Sequence, residues 1–435
     1  MFRNVINDLS IWYEEPKRKI LSVKGALGVG KTWTVKDFTF AYFDTQNYID
    51  CAADTSYATT ISKIENTSEE NYQLLIAEMD QLLEKQFGES DFSNGILIFD
   101  NTENIKGIAR FFYEYAKKHR KYTICLIESS MKIDEFEYSH PDVFRIIRMR
   151  PMTFEEYMIA NKAKPFLAAI ENNKRSPLSP LEAKAISNML KEYMLIGGMP
   201  AAVKEFIHSK DYSKVRQIQN DIIDSYFKVI KKSFPEALAG KCRRIWSNIP
   251  VQLTNANKKF MYKSVDSNAR AREYSDAVQA LCDLGITRKL PRLVNSNYPL
   301  EDNVDYKSFE LFYIDHGILR ASYKLPMSDE LLLQDIFLEK NCAVAEQYIF
   351  QELSNKLGNV YYWTSGATAR VPFVYEAENS AVPVDFRLEE NNKAQNIKTF
   401  CAKNDNINIA IRISLDQVYL NNNVLNIPAY GLWNM

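Results

Sequence analysis

A chain of 435 residues is too long for one ordinary core and predicts about three domains. With 46% hydrophobic and 25% charged residues, and only 14 Gly and 15 Pro, its composition excludes disordered and collagen-like classes. A formal net charge of −1 means that any polyanion-binding surface must be local.

Six scattered cysteines and four unclustered histidines argue against a structural zinc site. No apolar run approaches the roughly 20 residues that span a bilayer, and the N-terminus lacks a signal-peptide core. These features predict a cytoplasmic protein without a membrane partner.

In chain order, residues 1–150 alternate apolar runs with helical patterns, the signature of a parallel α/β sheet. The predicted strands are 19–24, 47–52, 96–100, 122–128 and 144–149, with helices over 71–87 and 105–119. The polar stretch 53–69 reads as a surface connection. At Thr153 a capping box with Glu156 opens a helical region that continues to about 235. Residues 236–335 mix helices with short strands, and the last hundred residues are strand-rich.

Gly25-Ala26-Leu27-Gly28-Val29-Gly30-Lys31-Thr32 fills every position of G-x-x-x-x-G-K-[ST], between a predicted strand and a predicted helix. Glycines let the loop amides converge on phosphate oxygens, and the helix N-terminus adds its positive dipole end. In this reading Lys31 reaches the β- and γ-phosphates of ATP and the Thr32 hydroxyl ligates Mg2+. Ile96-Leu97-Ile98-Phe99-Asp100 then delivers a second magnesium-side group, the Asp100 carboxylate, at a strand end.

With these motifs and KGALGVGKTW, RMRPMTFEEY, LIGGMPAAV, FELFYIDHGILRA, AEQYIFQEL and NIPAYGLW, the chain resembles a prokaryotic family of predicted AAA-type ATPases. That resemblance implies a multidomain α/β protein: a P-loop NTPase parallel sheet, a helical and winged-helix middle of unknown function, and a restriction-endonuclease-like tail. The expected domains are 1–152 (P-loop), 153–235 (helical, lid-like), 236–335 (winged-helix-like) and 336–435 (nuclease-like). By analogy, Ser129 is a polar sensor near the γ-phosphate, with an ordinary loop serine as the competing reading.

Two departures from the family pattern shape the functional expectation. A glutamate that polarises the attacking water usually follows the strand aspartate, but here Asn101 does. Its amide can position a water without accepting a proton, and Glu103 is the candidate substitute carboxylate. In the tail, Arg370-Val371-Pro372-Phe373 and Pro383-Val384-Asp385-Phe386-Arg387 replace the acid-rich nuclease pattern. Only Asp385 and Glu346 keep carboxylates, so the expected tail is degenerate and nuclease activity is not expected.

Residues 241–292 hold eleven Lys and Arg against four acids. This is an expected DNA-backbone footprint, with a solvated helical face as the competing reading. Within it, Arg270 or Arg272 is a candidate for reaching a nucleotide phosphate. The sequence thus points to a magnesium-dependent ATP-binding switch with slow or absent hydrolysis. A competent ATPase using Glu103 or a partner's residue stays open, as does a nucleic-acid-associated protein with structural nucleotide. Oligomeric state is not readable from the sequence.

Overall fold

The computed structural model describes residues 1–88, 92, 95–173, 177–327, 340–366, 369–386, 395–404 and 407–435. It divides into two units: Met1–Arg150 with Leu281–Ile286, and Pro151–Ala280 with Thr287–Met435.

The first unit runs α1 (Val5–Glu14), β1 (Ile20–Lys24), α2 (Lys31–Tyr42), β2 (Thr45–Asp50), α3 (Thr55–Ser62) and α4 (Tyr72–Phe87). It continues with β3 (Gly95–Asp100), α5 (Ile108–Lys118), β4 (Thr123–Glu128), α6 (Glu135–Ser139) and β5 (Phe144–Arg148). Its strands form a five-stranded sheet in the order β2-β3-β4-β1-β5, with every pairing parallel. This arrangement fits a P-loop NTPase-like fold. β1, β3 and β4 are buried along their whole length, which is why they read as apolar runs rather than alternations. Because the strands are parallel, the segments after β1, β3 and β4 leave from one edge of the sheet, where α/β proteins place ligands.

The 53–69 stretch is more structured than its polar composition suggests. It carries α3, capped by the Asp54 carboxylate on the Ser56 amide, and buries Tyr57, Thr60 and Ile61. Tyr57 and Ile61 join Phe99, Phe111 and Phe112 in the apolar core of this unit.

The second unit begins with α7 (Phe154–Ala160), α8 (Lys164–Asn172), α9 (Pro180–Ile196), α10 (Pro200–Ser209) and α11 (Tyr212–Ser233). The expected capping box is present: the Thr153 side chain accepts from the Glu156 amide, and the Glu156 carboxylate from the Thr153 amide. Then come α12 (Glu236–Thr254), α13 (Tyr262–Val265), α14 (Ala271–Asp283, whose end from Leu281 belongs to the first unit), β6 (Thr287–Leu293), β7 (Val304–Tyr313) and α15 (His316–Ser322). The C-terminal part holds α16 (Lys340–Leu357), β8 (Tyr361–Thr364), β9 (Arg370–Ala377), β10 (Ser380–Phe386), α17 (Gln395–Lys403), β11 (Ala410–Ser414), β12 (Tyr419–Asn421) and β13 (Val424–Pro428).

These strands build a mixed sheet in the order β12-β13-β11-β10-β9-β8-β6-β7. β6 pairs antiparallel with β7 and parallel with β8, so the hairpin of 236–335 and the strands of the tail share one sheet. Among the described residues, no helix is long and apolar enough to cross a membrane.

Candidate nucleotide-binding site

The loop between β1 and α2 turns on two glycines with left-handed backbones, Gly28 (φ 87°) and Gly30 (φ 94°). A side chain at either position would be strained. Of the motif's two fixed glycines, Gly30 is held by this backbone and Gly25 by close packing, since a Cβ there would run into the Met149 carbonyl. Gly30 caps α2 and leads directly to Lys31 and Thr32, its first two residues. The loop is braced by Arg3, whose guanidinium donates to the Val29 carbonyl at 2.7 Å and to the Arg150 carbonyl at 2.6 Å.

Lys31 is buried, and its ammonium donates to the Gly25 and Ala26 carbonyls, both at 2.9 Å, and to Ser129 Oγ at 3.3 Å. Burial pushes its pKa down to about 8, against the opposing pull of Glu103, Asp100 and Glu128. A polyphosphate would supply the negative charge that this ammonium lacks.

Asp100, at the end of β3, is buried. Its Oδ2 accepts from the Thr32 hydroxyl at 2.6 Å and from the Tyr48 phenol at 2.9 Å, and its Oδ1 from the Asn101 amide at 2.8 Å. The structure therefore brings Thr32 and Asp100 together as the motif required. One hydroxyl and one carboxylate are hard oxygen donors of the kind that hold Mg2+ when phosphates and waters complete the shell. The ion would neutralise phosphate charge and orient the terminal phosphoryl group.

Asn101 stands in the left-handed region (φ 59°), and its Nδ2 donates to Asp50 Oδ1 at 2.9 Å. Its amide is thus engaged with the end of β2. Glu103 is placed differently: its Oε2 accepts from the Ser129 amide at 3.1 Å. Lys31, Ser129 and Glu103 consequently form one connected group. Glu103, Ser130, Glu128, Arg110 and Lys132 line an open cleft of about 470 Å³ beside it.

Beneath the loop, Lys24 is buried between Glu128 at 2.6 Å and Glu137 at 3.0 Å. Burial raises the Glu128 pKa to about 7 despite Lys24, with Glu137 adding to the rise. Two acids share one ammonium here.

The segment Leu281–Ile286 also reaches the site. The Gly25 amide donates to the Ser130 carbonyl at 3.0 Å. The Ser130 hydroxyl and the Met131 amide both donate to the Asp283 carbonyl, at 2.9 and 2.6 Å. Arg3, Tyr48, Asp50 and Asp283 escaped the sequence reading. They come from separate segments, and nothing local marks them.

A family model described as "AAA domain" matches residues 17–158, the stretch that holds this loop and Asp100. The first unit carries an AAA-type nucleotide-binding domain. Two domains of unknown function, DUF8612 and DUF4143, match residues 187–329 and 342–430. No curated protein matches the chain. Among solved structures, that of C. elegans PCH-2 is similar over 48% of this chain and 61% of its own, at 12% identity and a TM-score of 0.28. A likeness of that size carries no argument.

The basic residues of 241–292 are not a uniform free surface. Lys258 pairs with buried Glu346, Lys241 donates to the Glu273 carbonyl at 2.7 Å, and Arg288 donates to the Gly358 carbonyl at 2.9 Å. Lys263, Arg270 and Arg272 are exposed.

In the tail, Arg370 grips Glu310 through two bonds of 2.8 and 2.6 Å and Glu346 through one of 2.5 Å. Burial pushes the Glu346 carboxyl up, but Arg370 and Lys258 prevail and hold it at about 2. Asp385 is buried in β10, and Arg387 lies outside the described residues. Glu376 is exposed in β9 and accepts from the Leu300 amide at 2.7 Å.

Proposed function

We propose that this protein is a magnesium-dependent, ATP-controlled switch that hydrolyses ATP slowly. The observation that carries the reading is the hydrogen-bonded path from the phosphate loop through Ser130 to Asp283. Leu281–Ile286 belongs to the nucleotide unit, yet it is covalently continuous with Ala280 and Thr287 of the other. A change at the γ-phosphate that shifts Ser130 therefore pulls on a segment leading directly into α14 and β6. Slow hydrolysis follows from Asn101, which has no carboxylate and whose amide is tied to Asp50.

Amide hydrogen exchange over Leu281–Leu293, with and without a non-hydrolysable ATP analogue and Mg2+, tests the switch. Slower exchange with nucleotide, lost in Ser130→Ala, is the expected result. Unchanged exchange in a protein that binds the analogue would overturn it.

A second reading, a competent ATPase, is favoured by the Lys31–Ser129–Glu103 group, which puts a carboxylate within electrostatic reach of the phosphate lysine. Turnover above about 1 s⁻¹, abolished by Glu103→Gln, would establish it. The helical, winged-helix-like and nuclease-like division of the rest is supported by element order, with α12, α13 and α14 followed by the β6–β7 hairpin. A metal-free tail is supported by the cations Arg370 and Lys258 standing against Glu310 and Glu346.

A further inference from the structure

The sheet of the first unit has a second edge, and it carries charge that the nucleotide site does not use. The segment entering β1 (Pro16–Lys19), the turn between α5 and β4 (His119–Tyr122) and the residues entering β5 (Asp142, Val143) line an open cleft of about 700 Å³. All three precede parallel strands, so the cleft lies at the edge opposite the phosphate loop. Six Lys and Arg line it (Lys17, Arg18, Lys19, Lys117, Arg120, Lys121) against a single acid, Asp142. In a chain whose net charge is −1, this is a concentrated local surplus.

Part of that charge is already employed. Lys117 pairs with Glu114 at 2.8 Å, and the Arg18 guanidinium lies over the rings of Tyr13 and Phe43. Among the described residues, Lys17, Lys19, Arg120 and Lys121 have no carboxylate partner. The other three of these are exposed and Lys19 is half-buried. Crowding like charges costs free energy, so an arrangement of this kind suits an anion that neutralises them.

We infer that this cleft binds the phosphate backbone of a nucleic-acid strand. A folded protein partner needs an exposed apolar centre in its interface. Here Ile20 and Ile124 are buried, and Tyr113, Tyr122 and Val143 are half-buried and packed against the core of the unit. A strand carrying one charge per nucleotide matches four unpaired cations drawn from two loops. The inference places nucleic acid on the AAA-type unit rather than on residues 241–292, and it holds whether or not ATP is hydrolysed.

The test is fluorescence anisotropy of a labelled 20-nucleotide single strand on the full chain across a salt series. Lys17→Gln/Lys19→Gln/Arg120→Gln/Lys121→Gln lowers affinity at least about tenfold and flattens the log–log salt slope by roughly 3. Its ATP-dependent rise in melting temperature stays at the wild-type value, showing an intact fold. Lys263→Gln/Arg270→Gln/Arg272→Gln leaves binding unchanged. The inference is overturned if the wild type does not bind the strand at low salt, or if only the second variant loses binding. It is equally overturned if poly-glutamate competes as well per charge as unlabelled strand, since the surface would then fit an acidic protein.

Discussion

Two regions of this molecule bury carboxylates, and they set opposite partners against them. At the nucleotide site Asp100 receives only neutral donors, from Thr32, Tyr48 and the Asn101 amide. In the second unit Glu346 and Glu310 are gripped by Arg370, and Glu346 also by Lys258. Neutral donors leave the carboxylate its full charge, so a divalent cation can draw it away from them. A guanidinium and an ammonium already neutralise the other pair, and a metal would have to displace both. Buried acids alone therefore do not make a metal site; what stands opposite them decides.

The largest effect that sharpens this contrast is on the second unit. Arg370→Ala leaves Glu310 and Glu346 Oε1 buried without their shared cation. Breaking a buried pair in this way costs about 3–5 kcal/mol, to be read by urea denaturation. Arg370→Met combined with Glu310→Met should recover most of the loss, because the uncompensated charge is gone. If the double variant is as unstable as the single one, packing rather than charge holds this cluster.

Next in size is Lys31→Ala, which removes the phosphate-side ammonium but no ion pair. Wild-type protein at an ATP concentration 100 times Kd gains about 2.7 kcal/mol, and the variant should lose that gain while unfolding normally without nucleotide. Calorimetric scans with and without ATP and Mg2+ separate the two outcomes. A variant that keeps the ATP-dependent rise would mean nucleotide is held elsewhere.

A smaller effect concerns pH. Free Lys31 loses its proton near pH 8, whereas adjacent phosphates favour its charged form and raise that value. Binding above pH 8 therefore takes up a proton, and ATP affinity falls as pH rises, by up to about tenfold per unit. Below about pH 7 the affinity is flat with respect to this group. Titration calorimetry at pH 9 in buffers of different ionisation enthalpy measures the proton directly.

How far all this was legible depended on whether the signal was local. β3 and β4 were readable because strands buried on both faces must be apolar throughout, as Ile96–Phe99 and Ile124–Ile127 are. The phosphate loop was readable because its constraint is a contiguous backbone shape. α3 was missed because Thr-Ser-Tyr-Ala-Thr-Thr-Ile-Ser is rich in threonine and seats only Tyr57, Thr60 and Ile61 in the interior. Joining β6 to β8 rests on two residue pairs, Arg292 with Tyr362 and Leu293 with Trp363, about seventy positions apart in sequence. Lys258 read as a surface cation because its partner, Glu346, lies 88 residues away. Tertiary pairing leaves no local period.

The smallest expected effect, a change in turnover of less than twofold, bears on the most informative substitution in the nucleotide site. Asn101 does two things in the structure: it adopts a left-handed backbone, and it holds Asp50. Asn101→Ala loses both, at about 1–2 kcal/mol for the backbone and about 1 for the hydrogen bond. Asn101→Gly loses only the bond, because glycine accepts this conformation freely. The gap between the two variants in urea denaturation isolates the backbone contribution. Turnover reports separately on chemistry. If its amide stays on Asp50 when nucleotide is bound, Asn101 is not available to the attacking water, and Asn101→Gly should then change ATP hydrolysis less than twofold. A larger fall would mean that Asn101 leaves Asp50 when nucleotide binds and takes up the water-positioning role its place after Asp100 suggests.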